Sequence, residues 1–187
     1  MNSRLPVVGF LLIVVLVGYE WFMSGLTKIV RGGFPTGLAG ELREKSEGAA
    51  SWYKSFLDGT VIPNGTAFGY AIEIGELLIG LALVAAALVW LFRWDRLSRR
   101  MRLLVLWAAA IAALGGIFMN VNFHLANGSP HPWLIPKDGF DEGVDLDSLM
   151  PAVQLVIVGV SAGLLLSMKR SPVRLRLRSK SALPHGA

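Results

Sequence analysis

Four long apolar runs, 5–29, 66–92, 103–126 and 149–168, are separated by polar segments and set the organisation of the chain. A helix of about 20 residues crosses a hydrocarbon core of roughly 30 Å, and each run is long enough. The pattern predicts an all-α integral membrane protein, a bundle of four transmembrane helices forming a single membrane domain over 1–170. Arg4 followed by an apolar stretch has the look of a secretion signal. The stretch continues into Tyr19-Glu20-Trp21-Phe22-Met23, bulky residues where a signal peptidase needs small ones, so a retained helix is expected.

The connections differ in length. Segment 93–102 is long enough only to turn the chain, whereas 31–65 and 127–148 are much longer. Long connections of this kind are often functional. In the first, 38–57 is compatible with helix and places Trp52, Tyr53, Phe56 and Leu57 at helical spacing. Such aromatics suit the headgroup level of a membrane, so a short helix lying on the surface or capping the bundle is expected. It either anchors the loop or closes a site. In the second, Pro130, Pro132 and Pro136 surround His131 and Trp133 and predict an extended, stiff segment. Its acids, from Asp138 to Asp147, lack the spacing of a calcium loop and read as a solvated face. The basic segment 171–187 is expected to be a mobile tail, and no internal repeat is apparent.

Composition supports the membrane assignment. The chain is 53% hydrophobic and 17% charged, with a mean hydropathy of +0.55. Soluble domains carry about 25% charged residues. There are no cysteines, which excludes disulfides, thiol redox chemistry, iron–sulfur clusters and Cys-ligated zinc within the chain. Of 18 basic residues, twelve fall on one side of a four-span arrangement: Arg4, the arginines from Arg93 to Arg102, and the basic residues from Lys169 to Lys180. Cytoplasmic segments collect Lys and Arg, so both termini and the 93–102 turn are expected in the cytoplasm of a bacterial cell membrane. The net charge of +5 is then a topology signal and a contact for anionic membrane lipid, with no nucleic acid implied. Asn64-Gly65-Thr66 and Asn127-Gly128-Ser129 match glycosylation sequons, which matter only in a eukaryote.

Ionisable residues inside a span are costly and point to function. The spans hold Glu20, Lys28, Glu73, Glu76, Asn120, Asn122, His124 and Gln154, all in the outer half if the basic ends are cytoplasmic. Helical spacing puts Glu20 and Ser24 with Thr27 or Lys28 on one side of the first helix, and Gly69, Glu73, Glu76 and Gly80 on one side of the second. Gly116, Asn120 and His124 line the third, and Gln154 and Ser161 the fourth. Polar stripes at one depth are expected to face one another around a pocket open to the outer side. Three carboxylates share one lysine, with Arg31 just outside, so at least one acid is expected to hold a proton. The competing reading is a structural network in which these groups only satisfy each other. His124 is the single histidine within a span, so a bis-histidine haem is not indicated; no dinucleotide fingerprint, P-loop or nucleophile elbow is present, and neither flavin nor metal is implied. In a redox protein of this composition, electrons pass between bound molecules or arrive from a partner.

Several segments resemble the DoxX/DoxD-like family, which includes the small-subunit-like membrane proteins of thiosulfate:quinone oxidoreductase. They are Gly18-Tyr19-Glu20-Trp21-Phe22-Met23-Ser24-Gly25 with Thr27-Lys28, the aromatic stretch from Trp52 to Phe56 before Ile62-Pro63, Glu73-Ile74-Gly75-Glu76-Leu77-Leu78-Ile79-Gly80, and Asn120-Val121-Asn122-Phe123-His124 followed by Pro132-Trp133. They occur in the family's order over about residues 10 to 160. The resemblance implies a four-helix membrane protein that, in some members, oxidises thiosulfate to tetrathionate with quinone as acceptor. In others it implies a membrane partner of sulfur-transfer or oxidative-stress enzymes. A second redox subunit or a soluble partner enzyme is accordingly expected.

On this reading Glu20, Glu73, Glu76 and His124 are the catalytic candidates, supplying protons or orienting a quinone head group. Asn120, Asn122 and Gln154 hydrogen-bond the quinone, with Trp52 and Tyr53 closing the site. Lys28 and Arg31 draw in an anion such as thiosulfate. The alternative is a non-enzymatic membrane anchor or scaffold for soluble partners. A small transporter is disfavoured, because the expected pocket lies near one face rather than at the midplane.

Overall fold

The computed structural model describes residues 5–128 and 146–180. The described residues form six α-helices: α1 Leu5–Arg31, α2 Phe34–Lys45, α3 Ser51–Phe56, α4 Gly65–Arg93, α5 Arg99–Ala126 and α6 Leu146–Lys180. No strand occurs among them. Four of the helical stretches are long and apolar enough to cross a membrane. The proline-containing segment expected to be extended lies outside the described residues.

The helix ends follow from local chemistry. α1 stops where Gly32 and Gly33 take positive φ values of 68° and 80°, a backbone state that glycine adopts without a Cβ clash. Pro35 then sits in the first turn of α2, where its missing N–H costs nothing. α3 passes through a π turn, Leu57–Val61, and a 3₁₀ turn, Ile62–Asn64, directly into α4. The Ser98 side chain caps α5 by accepting from the Met101 N–H at 3.4 Å. α6 runs beyond the apolar stretch to Lys180, into the segment read from sequence as a tail. Its alternating Leu and Arg are good helix formers.

α1 and α4 share the most extensive interface, followed by α5 with α6 and α4 with α5; α1 and α6 barely touch. The α1–α4 contact is close enough to exclude side chains. A Cβ on Gly25 would lie 2.6 Å from the Leu77 amide nitrogen and 2.8 Å from the Glu73 carbonyl oxygen, and one on Gly80 would meet the backbone of Phe22. These approaches fix an antiparallel register in which Gly25 is level with Glu73–Leu77 and Gly18 with Leu83–Val84. Small residues are how apolar helices achieve such contact without a hydrophobic driving force.

The central core joins Leu11, Val14, Val17 and Trp21 of α1 to Ile79 and Leu83 of α4, Ala112 and Ala113 of α5, and Met150 and Ile157 of α6. A smaller cluster seats Tyr53, Leu57, Val61 and Ile62 against Ala126 at the end of α5. Outside these cores the large apolar side chains face outward: Leu16 is 68% exposed, Ile111 62% and Phe118 69%. An apolar exterior on helices with an apolar interior is the arrangement a hydrocarbon solvent permits. At the basic end, Trp90 stacks on Trp94 with centroids 4.5 Å apart, and the Arg102 guanidinium lies 5.4 Å from the Trp94 ring.

Candidate ligand cavity

Lys28, in the last turn of α1, is the hub of the buried polar groups. Its ammonium donates to the Glu76 carboxylate (Oε2) at 2.6 Å and to Ser24 Oγ at 2.8 Å, and lies 5.2 Å from the Phe34 ring centroid. The Glu76 side chain is 1% exposed and that of Lys28 23%. Burial without water would be prohibitive for either charge alone, so the pair and its Ser24 contact hold each other in place. The second oxygen of Glu76, Oε1, is buried and has no hydrogen-bond partner among the described residues.

Lys28 also lines a half-open cavity of about 350 Å³ between α2, α3, α4 and α5. Its walls are mostly apolar: Phe34 and Leu38 from α2, Phe68 and Ile72 from α4, Met119 and Phe123 from α5. Tyr53 and Asn122 supply polar atoms elsewhere on the wall. The Tyr53 hydroxyl donates to Asn122 Oδ1 at 3.0 Å, and Asn122 Nδ2 donates to the Phe118 carbonyl at 2.7 Å. Glu41 and Lys45, an exposed ion pair at 2.7 Å on α2, complete the rim. Ligand sites are commonly of this volume and character, apolar with a few fixed polar groups.

The single polar pocket expected from the helical stripes is not what the structure contains. Glu76 and Lys28 meet between α1 and α4, with Glu73 buried in α4 nearby but making no hydrogen bond to a described residue. Asn120 and Gln154 meet between α5 and α6, Nδ2 to Oε1 at 3.3 Å, where Gly116 leaves room for the Gln154 amide. His124 is buried one turn beyond Asn120. Asn122 instead turns toward α3 and the cavity. One face of a helix can serve only one neighbour: α4 gives its acidic face to α1, while α5 gives its polar stripe to α6.

Two further expectations are corrected. Glu20 is exposed rather than interior. By the α1–α4 register it is level with the segment between Gly80 and Leu83, deeper along the bundle than Glu76. Trp52 is 65% exposed and stacks edge-on with Tyr53 from outside, so only Tyr53 of that pair lines the cavity. Of the two cations expected to draw in an anion, Lys28 lines the cavity and Arg31, expected just outside, is exposed. Of the aromatic cluster expected to cap the bundle, Tyr53, Phe56 and Leu57 line the cavity. The α2 wall has its own sequence signal in Phe34, Leu38 and Leu42, an i, i+4, i+8 stripe within an otherwise polar connection.

Comparison with family models, curated proteins and solved structures returns no match for this chain.

Proposed function

We propose that this protein is a DoxX-like component of a membrane oxidoreductase and that the cavity between α2, α3, α4 and α5 binds the head group of a quinone. The observation that carries this reading is an apolar cavity whose half-buried cation, Lys28, is already matched by a carboxylate. A quinone is an uncharged ring with apolar faces and carbonyl acceptors. The aromatic and aliphatic walls suit the ring. Lys28 gives two donors to Ser24 and Glu76, leaving its third ammonium proton for a carbonyl oxygen. A doubly charged anion would face an apolar wall and a lysine already neutralised, so the cavity favours quinone over thiosulfate.

Reduction of a quinone to the quinol takes two electrons and two protons. Lys28 and Glu76, with the unpartnered Glu76 Oε1 behind, form a route for a proton to the carbonyl oxygen. Electrons come from a donor outside this chain's side chains. Two thiosulfate ions giving tetrathionate release the two required, and this choice of donor rests on the family resemblance. In the membrane, the basic ends of the helices and the Trp90–Trp94–Arg102 cluster lie at the cytoplasmic face and the cavity at the outer one.

Quinone titration in lipid nanodiscs tests the reading, with thiosulfate-dependent quinone reduction measured in parallel. Saturable binding that is lost in Lys28→Met supports the site. Binding that survives both Lys28→Met and Tyr53→Phe contradicts it. A second reading is favoured by α6, which continues as helix for about 18 Å beyond Met168, at 1.5 Å per residue, through a strongly basic sequence. This extension suits a scaffold that holds a soluble partner. Capture of a partner that survives Lys28→Met and is abolished by truncation after Met168 would support that alternative.

A further inference from the structure

Glu20 has no place in the cavity. It is exposed at the edge of the α1–α4 contact, near enough to the Glu76 carboxylate to repel it, and makes no hydrogen bond or ion pair with a described residue. Its level, between Gly80 and Leu83, is close to the middle of the 65–93 helix that packs beside it. Where α1 crosses a bilayer, this carboxyl group faces hydrocarbon near the midplane, where an unsatisfied polar group is disfavoured and calls for a donor.

The surrounding face has a regular form. Leu12, Leu16, Tyr19, Met23, Leu26 and Val30 recur at alternating intervals of four and three residues, the spacing of a seam between two helices. Leu12, Leu16, Tyr19 and Val30 are exposed, Leu16 at 68% and Tyr19 at 56%, while Met23 and Leu26 are half-buried, so most of the seam is open within one chain. Tyr19 adjoins Glu20 and presents a hydroxyl donor at the same depth. Copies of one membrane protein insert in one orientation, so a two-fold axis between them lies along the membrane normal and brings equal depths together. A donor and an acceptor side by side at one depth are therefore complementary to themselves across that axis.

We propose that the outward face of α1 is an interface between two copies of this chain, with the Tyr19 hydroxyl of each donating to the partner's Glu20. The interface depends only on α1 crossing the membrane, and is separate from the cavity and its ligand. Two hydrogen bonds then remove two exposed carboxyl groups from hydrocarbon, and the leucine seam packs around them.

The chain has no cysteine, so single cysteines report proximity without interference. Leu16→Cys and Met23→Cys on the seam are compared with Ile111→Cys, which is exposed on α5, by oxidative cross-linking in native membranes. Efficient disulfide-linked dimer at the two seam positions, little at Ile111→Cys, and a severalfold loss of the Leu16→Cys product on adding Tyr19→Phe and Glu20→Leu are expected. Equal cross-linking at all three positions, no cross-linking at the seam, or full retention in the Tyr19→Phe, Glu20→Leu background would overturn the proposal. Glu20 and Tyr19 are both exposed, so an unchanged thermal melt in these variants separates lost association from lost folding.

Discussion

Lys28 and Glu76 are 48 residues apart in the chain and 2.6 Å apart in space, and they tie the end of α1 to the fourth turn of α4. Lys28 lines the cavity, and Glu76, behind the wall, orients its ammonium. Its geometry depends on the glycine contacts beneath it, because Gly25 brings α1 within reach of the Glu73–Leu77 backbone.

Removing one member of this pair is expected to cost more than removing both. Lys28→Met leaves a buried carboxylate and Glu76→Leu leaves a half-buried ammonium; each should lower stability by about 3 kcal/mol. The double variant should lose clearly less than the sum of the two. Thermal unfolding in detergent across the four proteins measures the coupling.

The glycine register makes a second quantitative expectation. Gly25→Ala and Gly80→Ala each press a methyl group against the partner backbone and should destabilise by roughly 1–3 kcal/mol. Gly163→Ala, on an open face of α6, should be neutral or slightly stabilising. The same melting experiment distinguishes them.

Much of this architecture was legible in the sequence because hydropathy and length decide which segments leave water. The four apolar runs became helices, three of them with ends close to those expected and the fourth continuing twelve residues further to Lys180. The pairing of Lys28 with Glu76 across helices was among the contacts foreseen. The convergence of all the polar stripes was not, because a stripe gives a face and a depth but not the neighbour it turns toward. Glu20 shares its side of α1 with Ser24, and the drift of about 40° between residues four apart is enough to carry it from the interface to the exterior. Part of the cavity wall was legible in Tyr53, Phe56 and Leu57, whereas Leu38, Ile72, Met119 and Phe123 look like core until the helices are placed.

Tyr53 carries the link between α3 and α5. Tyr53→Phe removes its hydrogen bond to Asn122 and should cost about 1 kcal/mol while leaving the apolar packing of the ring. Amide hydrogen exchange over Ser51–Phe56 should accelerate, with little change in α1.

The orientation set by the basic residues is open to direct labelling. Ser98→Cys, in the turn between α4 and α5, should be shielded from an impermeant maleimide in intact cells, and Ser51→Cys, at the start of α3, should react. The opposite pattern would place the cavity on the cytoplasmic side.

The most direct test of quinone binding is photolabelling of the protein in nanodiscs with an azidoquinone, followed by peptide mapping. Label concentrated on the α2 and α5 segments around Leu38, Met119 and Phe123, and displaced by excess unlabelled quinone, is the expected result. Label spread over the outward-facing leucines, or insensitive to competitor, would contradict a quinone site in the cavity.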